Sequence, residues 1–393
     1  MTALAHALLF ALALPVTAAC LYLLVLTLMS GRQPATRGSS RTRRFDVIVP
    51  AHDEAAVIAD VVASLRALDW PADGFQVWVI ADNCSDATAA LARAAGAAVL
   101  ERHDTAQRGK GHALALAFEA SRARGWADAV VVVDADSAVS PNLLAAFSAR
   151  IEGGAEAMQA HHRVLNAMAS WRTRLMAIAM TAFHRVRSRA RERMQLSCGI
   201  RGNGWCVTHR LLAQVPYRAY TLAEDIEFGI VLGLAGQRVH YVDEADVAGL
   251  MVSGEQAARS QRQRWEQGRW QLVRTETGRL LRAAAAGRLV CLDLALDLLV
   301  PPLSQVAVSL LLLIAAAGLA SLWASALLPW LWLGLACALA LTLHVLRGWQ
   351  LSGVGPRGLL DLLRAPFFVG WKLLLLARAR GSRQWVRTER EHP

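Results

Sequence analysis

The sequence predicts an α/β domain with a parallel, Rossmann-like sheet, set between apolar N- and C-terminal helices long enough to cross a bilayer. Three observations carry this expectation. Between Phe45 and about Val252, short runs of β-branched residues alternate with helical stretches. The runs FDVIVPAHDE, FQVWVIADNCSD and AVVVVDADS each end in carboxylates. The chain is 55% hydrophobic, and the apolar excess is concentrated at its two ends.

The ends come first. Ala3 to Met29 is almost wholly apolar and predicts a spanning helix, kinked at Pro15, within an N-terminal segment 1–31. The run is too long for a typical signal-peptide core, and Met1 to His6 carries no Arg or Lys. Arg32, Arg37, Arg41, Arg43 and Arg44 follow at once, so residues 32–44 read as a basic cytosolic linker. Near the other end, Leu296–Leu319 and Leu327–Leu346 predict two more spans within residues 291–348. Pro301 and Pro302 stand at the entry to the first, and Asp293 and Asp297 belong at its interfacial end, since carboxylates are costly in lipid. Gly358 to Ala377 is interrupted by Asp361, Arg364, Pro366 and Lys372 and reads as an interfacial helix. That count of three spans leaves the basic tail of the 349–393 segment in the cytosol.

The net charge of +11 is largely Arg beside these apolar segments, which fits contact with anionic lipid in a multi-pass inner (plasma) membrane protein. No nucleic-acid recognition module is present, so no nucleic-acid partner is expected. The six cysteines lack metal-ligand spacing and read as reduced thiols, which places the catalytic domain in the cytosol.

Within the middle, FDVIVP predicts a first strand, followed by a loop with Asp53 and Glu54 and a helix over Ala55–Leu68. A second strand runs into Asp82, Asn83 and Asp86; a helix over Ala87–Ala95 and a third strand, AAVLERHD, follow. The loop Arg108–Gly111 opens a helix through Ala123, and the fourth strand runs into Asp134 and Asp136. Ligands bind beyond the carboxyl ends of such strands. Hard oxygens two residues apart suit Mg2+ or Mn2+ bound together with substrate phosphates, although an Asp-rich turn is the plain alternative. Gly109-Lys110-Gly111 at a helix start offers backbone N–H groups, a helix dipole and an ammonium to phosphate, without the spacing of a P-loop.

Further along, HRVRSRARER places Arg185, Arg187, Arg189, Arg191 and Arg193 around a helical cylinder. A solvated or membrane-proximal surface is expected, with contact to a lipid headgroup or diphosphate as the sharper alternative. Gly199, Gly202 and Gly204, with Trp205 beside them, allow backbone to approach a ligand, or simply a tight turn. Glu224-Asp225 opens a helix, where acids also serve the dipole. Gln261, Arg264 and Trp265 neighbour one another on a basic amphipathic helix within residues 253–290, read as lying on the membrane surface.

Taken in order, VIVPAHDEA, ADNCSDAT, DAD, AEDIEFG and QRQRW resemble the ordered motifs of family-2 glycosyltransferases of GT-A fold. The membrane-bound branch with cellulose, chitin and hyaluronan synthases is the nearest in pattern, and the terminal WVRTER is similar to bacterial exopolysaccharide-type members. The resemblance covers Asp46 to Trp270, which makes residues 45–252 the expected GT-A domain. It implies inverting transfer of a hexose or N-acetylhexosamine from a UDP-sugar to a membrane-associated glycan or lipid-linked acceptor. Partner export or polymerisation proteins would go with an exopolysaccharide role.

The resemblance also implies roles for individual residues. Asp53, with Glu54 beside it, and Asp82 would bracket the nucleoside, Lys110 would meet the base or diphosphate, and Arg264 would pair with the diphosphate. Asp134 would serve the ribose or the metal, and Asp136 would bind Mg2+ or Mn2+. Asp225, preceded by Glu224, would be the general base, while Gln261, Trp265, Gly204 and Trp205 would line the acceptor site. The membrane part is smaller than in long-channel synthases, which speaks against a pore within one chain. A metal-dependent nucleotidyltransferase would share the Asp pair but leaves Glu224-Asp225 and the Gln-x-x-Arg-Trp run without a use. A non-catalytic membrane scaffold is disfavoured because every expected carboxylate is present.

Overall fold

The computed structural model describes residues 2–365 apart from 35, 37 and 252–254, together with 367 and 370; the side chains of 255–263 lie outside that description. Two compact units emerge, a sheet unit built from residues 32–167 and 195–295 and a helical unit built from 1–31, 168–194 and 296 onward.

The sheet unit contains β1 (Phe45–Ala51), β2 (Phe75–Asp82), β3 (Ala98–Arg102), β4 (Ala129–Val132), β5 (Ser137–Val139), β6 (Ala157–Val164), β7 (Trp205–Thr208) and β8 (Val239–Gly249). Their order is β3-β2-β1-β4-β7-β6-β8-β5. β1 lies parallel to β2 and β4, and β2 parallel to β3, so the acid-bearing carboxyl ends share one edge as expected. Alternation along β1 explains the unbroken apolar run: Val47 and Val49 face one core with Ile58, Leu65 and Phe147, and Ile48 faces the other with Leu114, Trp205 and Phe228. Helices Ile58–Arg66 and Leu143–Glu152 cover the first face; Lys110–Arg124, His209–Gln214 and Glu224–Leu234 cover the second.

β5 to β8 were not legible as strands. β8 carries Asp243, Glu244 and Asp246, and β6 carries His161, His162 and Arg163, so neither shows a clean apolar run. Their pairing comes from tertiary contacts instead, including a register shift between Ala160 and His161 where β6 meets β8.

In the helical unit, three helices among the described residues are long and apolar enough to cross a membrane: Thr2–Met29, Leu303–Trp323 and Ser325–Ser352. Leu9, Val16 and Leu23 pack in one cluster with Leu310, Leu313, Cys337 and Leu341. The second span starts at Leu303 rather than Leu296, because helix Leu289–Leu299 ends just before Pro301-Pro302 and a new helix starts beyond them. The expected interfacial helix is described only as far as the short turns Gly355–Asp361 and Leu362–Arg364; most of its remainder and the terminal arginines lie outside the described residues.

The arginine run departs most from expectation. Residues 168–194 belong to the helical unit, and Arg187 and Arg191 are 2% and 0% exposed rather than solvated. One helical turn apart, they share a face and converge on Asp297 Oδ1 at 3.0 and 2.6 Å, while Arg191 also donates to the Tyr22 hydroxyl. A carboxylate inside the unit is what permits their burial. Asp297→Ala takes away the carboxylate both guanidinium groups share and is expected to cost about 3–5 kcal/mol. Thermal unfolding of the full chain in detergent checks this, and an unchanged midpoint would refute it.

Candidate active site

The carboxyl edge of β1, β2 and β4 collects the expected acids, and Lys110 ties one of them, Asp134, to Glu224. Lys110 opens helix Lys110–Arg124. Its neighbour Gly111 has no room for a side chain: a Cβ there would run into the Ala219 carbonyl oxygen, so glycine lets the helix start seat against that loop. The Lys110 ammonium lies 2.5 Å from Asp134 Oδ1, 2.9 Å from the Gly202 carbonyl oxygen and 3.8 Å from Glu224 Oε1. A Cβ built on Gly202 would touch Asp225 Oδ2 at 3.4 Å, which seats that carboxylate over the same loop. Asp134, Lys110, Glu224 and Asp225 thus form one charged group, although they come from three separate segments.

The turn bearing Asp134 and Asp136 is held from below by side chains that no sequence pattern marked. The Asp134 backbone N–H donates to Asn203 Oδ1 at 3.0 Å, and Asn203 Nδ2 donates to Ser137 Oγ at 2.7 Å. Gln159 Nε2 in turn donates to the Asn203 carbonyl at 2.7 Å, and Gln159 Oε1 accepts from the Arg201 N–H at 2.8 Å. His162 on β6 is the other missed residue. Burial lowers its pKa against the opposing pull of Asp134 and Asp136, so at neutral pH a neutral imidazole sits near both aspartates. No single-sequence signal distinguishes His162 from His161; only the β6–β8 pairing does.

The electrostatics follow from this crowding. Burial opposes charge on Lys110, but Asp134, Glu224 and Asp225 outweigh it and raise its pKa above the ordinary value. Burial pushes Glu224 up to about 7, with the Asp225 charge adding to the rise and Lys110 offsetting part of it. Asp225 is raised too, by burial first, with Lys110 and backbone N–H groups opposing. A carboxylate tuned toward neutrality suits general-base chemistry near pH 7.

The remaining predicted residues divide. Asp53 adopts φ +54° and accepts hydrogen bonds from the Ser85 and Asp86 N–H groups at 2.6 and 3.2 Å, while the Glu54 N–H donates to Thr88 Oγ1 at 2.8 Å. Asp82 is 7% exposed, and its Oδ1 accepts from Arg102 at 2.7 Å and Asn83 at 3.0 Å; here it ties β2 to the end of β3. Trp205 does not reach an acceptor. It is 1% exposed and packs against Phe118 and Phe228, because its position on β7 points into the helix-covered core. Gly204, just before β7, has φ +71° and a Cβ there would strike the Val247 side chain, so only glycine fits between the turn and Val247. Gly268 in helix Glu255–Ala285 meets Ala223 as closely, with a built Cβ 2.9 Å from that of Ala223. One turn earlier on the same face stands Arg264, half-buried, followed by Trp265, which is 41% exposed. The Gln261 side chain lies outside the described residues.

Residues 43–268 match the family model described as glycosyltransferase-like family 2. The chain belongs to this family. Among curated relatives, the β-monoglucosyldiacylglycerol synthase of Synechocystis is 28% identical over 57% of this chain and 47% of its own length. The probable glycosyltransferase YdaM of Bacillus subtilis is 24% identical over 58% of this chain and 56% of its own. The match therefore spans about half the length of each. Of the solved structures, a mannosyltransferase from Pyrobaculum calidifontis, in complex with GDP-Man and Mn2+, superposes with a TM-score of 0.53 at 19% identity. That superposition covers 86% of this chain and 99% of the mannosyltransferase. The sheet unit is the GT-A domain of a family-2 glycosyltransferase.

Proposed function

We propose that this glycosyltransferase moves a hexose or N-acetylhexosamine from a UDP-sugar to an acceptor held at the inner membrane, a lipid-linked molecule or a glycan, from the cytosolic face. The observation that carries the reading is the Lys110 ammonium placed between Asp134, on the donor side, and Glu224-Asp225, at the start of the next catalytic helix. In this reading Asp225 takes the proton from the acceptor hydroxyl as it attacks the sugar, and burial keeps that carboxylate's proton affinity above the ordinary range, as a base near neutral pH needs. Asp53 faces the nucleoside, and Arg264 pairs with the diphosphate. Trp265 offers an exposed ring to the acceptor.

Asp134 and Asp136 fit a divalent cation: they are oxygen ligands at a strand end, and the imidazole near them is held neutral. They would hold Mg2+ or Mn2+, which when bound neutralises charge on the departing nucleoside diphosphate. The Synechocystis relative makes, by its name, a glucosylated diacylglycerol, and this favours a lipid acceptor over a soluble one.

The test is product mass. Membranes containing the full chain are incubated with a panel of UDP-sugars, Mn2+ and native lipid extract, and products are read by mass spectrometry. One hexose or N-acetylhexosamine added to a lipid or glycan is the expected outcome; a nucleotidyl adduct would contradict the reading.

The raised carboxylates also predict a pH profile. With Glu224 near 7, kcat/KM rises with pH through about 7 as the coupled pair loses its protons. Glu224→Gln removes a neighbouring charge and moves the ascending limb to lower pH, whereas Lys110→Met removes the favourable ammonium and moves it higher. Stability runs the other way. The folded chain holds this proton more tightly than an unfolded chain with an ordinary value of 4.5, so stability falls as pH rises from 4.5 through about 7. A limb that stays in place in both variants would separate these residues from the base.

A further inference from the structure

We propose that the helical unit binds the phosphate headgroup of an anionic phospholipid in a cavity of about 390 Å³ lined by Arg174, Arg357, Leu360, Asp361, Leu363 and Arg364. Three guanidinium groups against one carboxylate leave the cavity with an excess of two positive charges. Asp361 is 4% exposed and accepts from Arg174 Nε at 2.6 Å and from Arg364 at 3.0 Å, so one buried carboxylate presents two guanidinium groups in fixed positions. Arg357 is exposed and has no hydrogen-bond or ion-pair partner among the described residues. A phosphate seated there would accept from planar, bidentate donors, the geometry in which arginine binds phosphate best.

The setting identifies which phosphate. Helix Leu328–Ser352 is the last of the apolar candidate spans among the described residues, and the short helix Gly355–Asp361 begins three residues after its end. The cavity therefore lies where a span leaves the hydrocarbon, at headgroup depth. Gly348 near the end of that span and Gly358 in the short helix let helix Trp171–Thr181 press close, with built Cβ atoms 3.0 Å from the Ile178 carbonyl oxygen and 3.5 Å from its Cδ1, which brings Arg174 to the cavity. Leu360 and Leu363 on the rim are 65% and 75% exposed. Apolar side chains this exposed beside a cationic pocket match a ligand with acyl chains attached to its phosphate, rather than a free anion.

The experiment uses the full chain in a neutral detergent. Phosphatidylglycerol, phosphatidylcholine and inorganic phosphate are titrated in, with bound species counted by native mass spectrometry. The variant Arg357→Gln/Arg364→Gln removes the two exposed guanidinium groups and leaves Arg174 to pair with the buried Asp361. Wild type should retain phosphatidylglycerol over phosphatidylcholine, inorganic phosphate should not displace it, and each lost arginine should weaken binding roughly fivefold. Equal retention of the two lipids, or undiminished phosphatidylglycerol binding by a double variant with a wild-type thermal midpoint, overturns the site. Displacement by inorganic phosphate overturns the lipid and leaves a soluble-anion pocket. Should the double variant unfold early, Arg357→Gln alone serves the same comparison, since that side chain makes no pair among the described residues.

Discussion

Asp225→Asn should lower kcat by roughly 10²- to 10⁴-fold while UDP affinity stays at its wild-type level. The substitution keeps the shape of the side chain over Gly202 and removes only its ability to take a proton. No stability loss is expected to confuse the result, because a half-buried acid whose pKa is already raised by burial exchanges readily for a neutral amide. Isothermal titration with UDP alongside single-turnover kinetics separates the two effects. If UDP binding collapsed and the chemical step did not, Asp225 would belong to the donor pocket and the proposed division of labour would fail.

Asp136→Asn is the second large effect. It should remove Mn2+ binding and turnover together, the latter by roughly 10³-fold, since charge stabilisation of several kcal/mol is lost. Electron paramagnetic resonance of Mn2+ added to detergent-solubilised protein reads the metal without relying on activity. Asp134→Asn is expected to behave differently. Asp134 is the 2.5 Å partner of Lys110, so its loss releases the ammonium from the charged group and shifts the pH profile as well as the rate. A fall in nucleotide affinity alone in Asp136→Asn, with Mn2+ binding retained, would reverse the roles assigned to the two aspartates.

What was legible in the sequence follows from where its physics is local. Strands β1 and β4 are buried on both faces, so their Val, Ile and Ala runs stand out without any knowledge of partners. Their terminal acids stand out because carboxylates beside such runs are costly to bury without a partner. β6 and β8 could not be found in this way: His161, His162, Asp243 and Asp246 are tolerated there only because neighbouring strands and charges receive them. For the same reason Gln159, Asn203 and His162, which position or face the aspartate pair, carry no sequence signature.

Two features met partners that spacing does not reveal. Glycines at 199, 202 and 204 signal close approach of backbone, but the sequence does not say to what. At Gly202 the neighbours are Lys110 and Asp225; at Gly204 the neighbour is Val247, and Trp205 points into the core. The arginine run was read from helical spacing as a surface. Arg187 and Arg191 are buried because Asp297, more than a hundred residues away in sequence, meets both. Spacing along one helix cannot report such a partner.

The central claim is tested most directly by UDP release. Membranes carrying wild type, Asp225→Asn and Asp136→Asn, at matched protein levels, are supplied with each UDP-sugar in turn, Mn2+ and lipid extract. The expected result is acceptor-stimulated UDP release from at least one donor by wild type, with release lost in both variants. Release at the wild-type rate in either variant, or no release from any UDP-sugar by a folded wild-type protein, would contradict it.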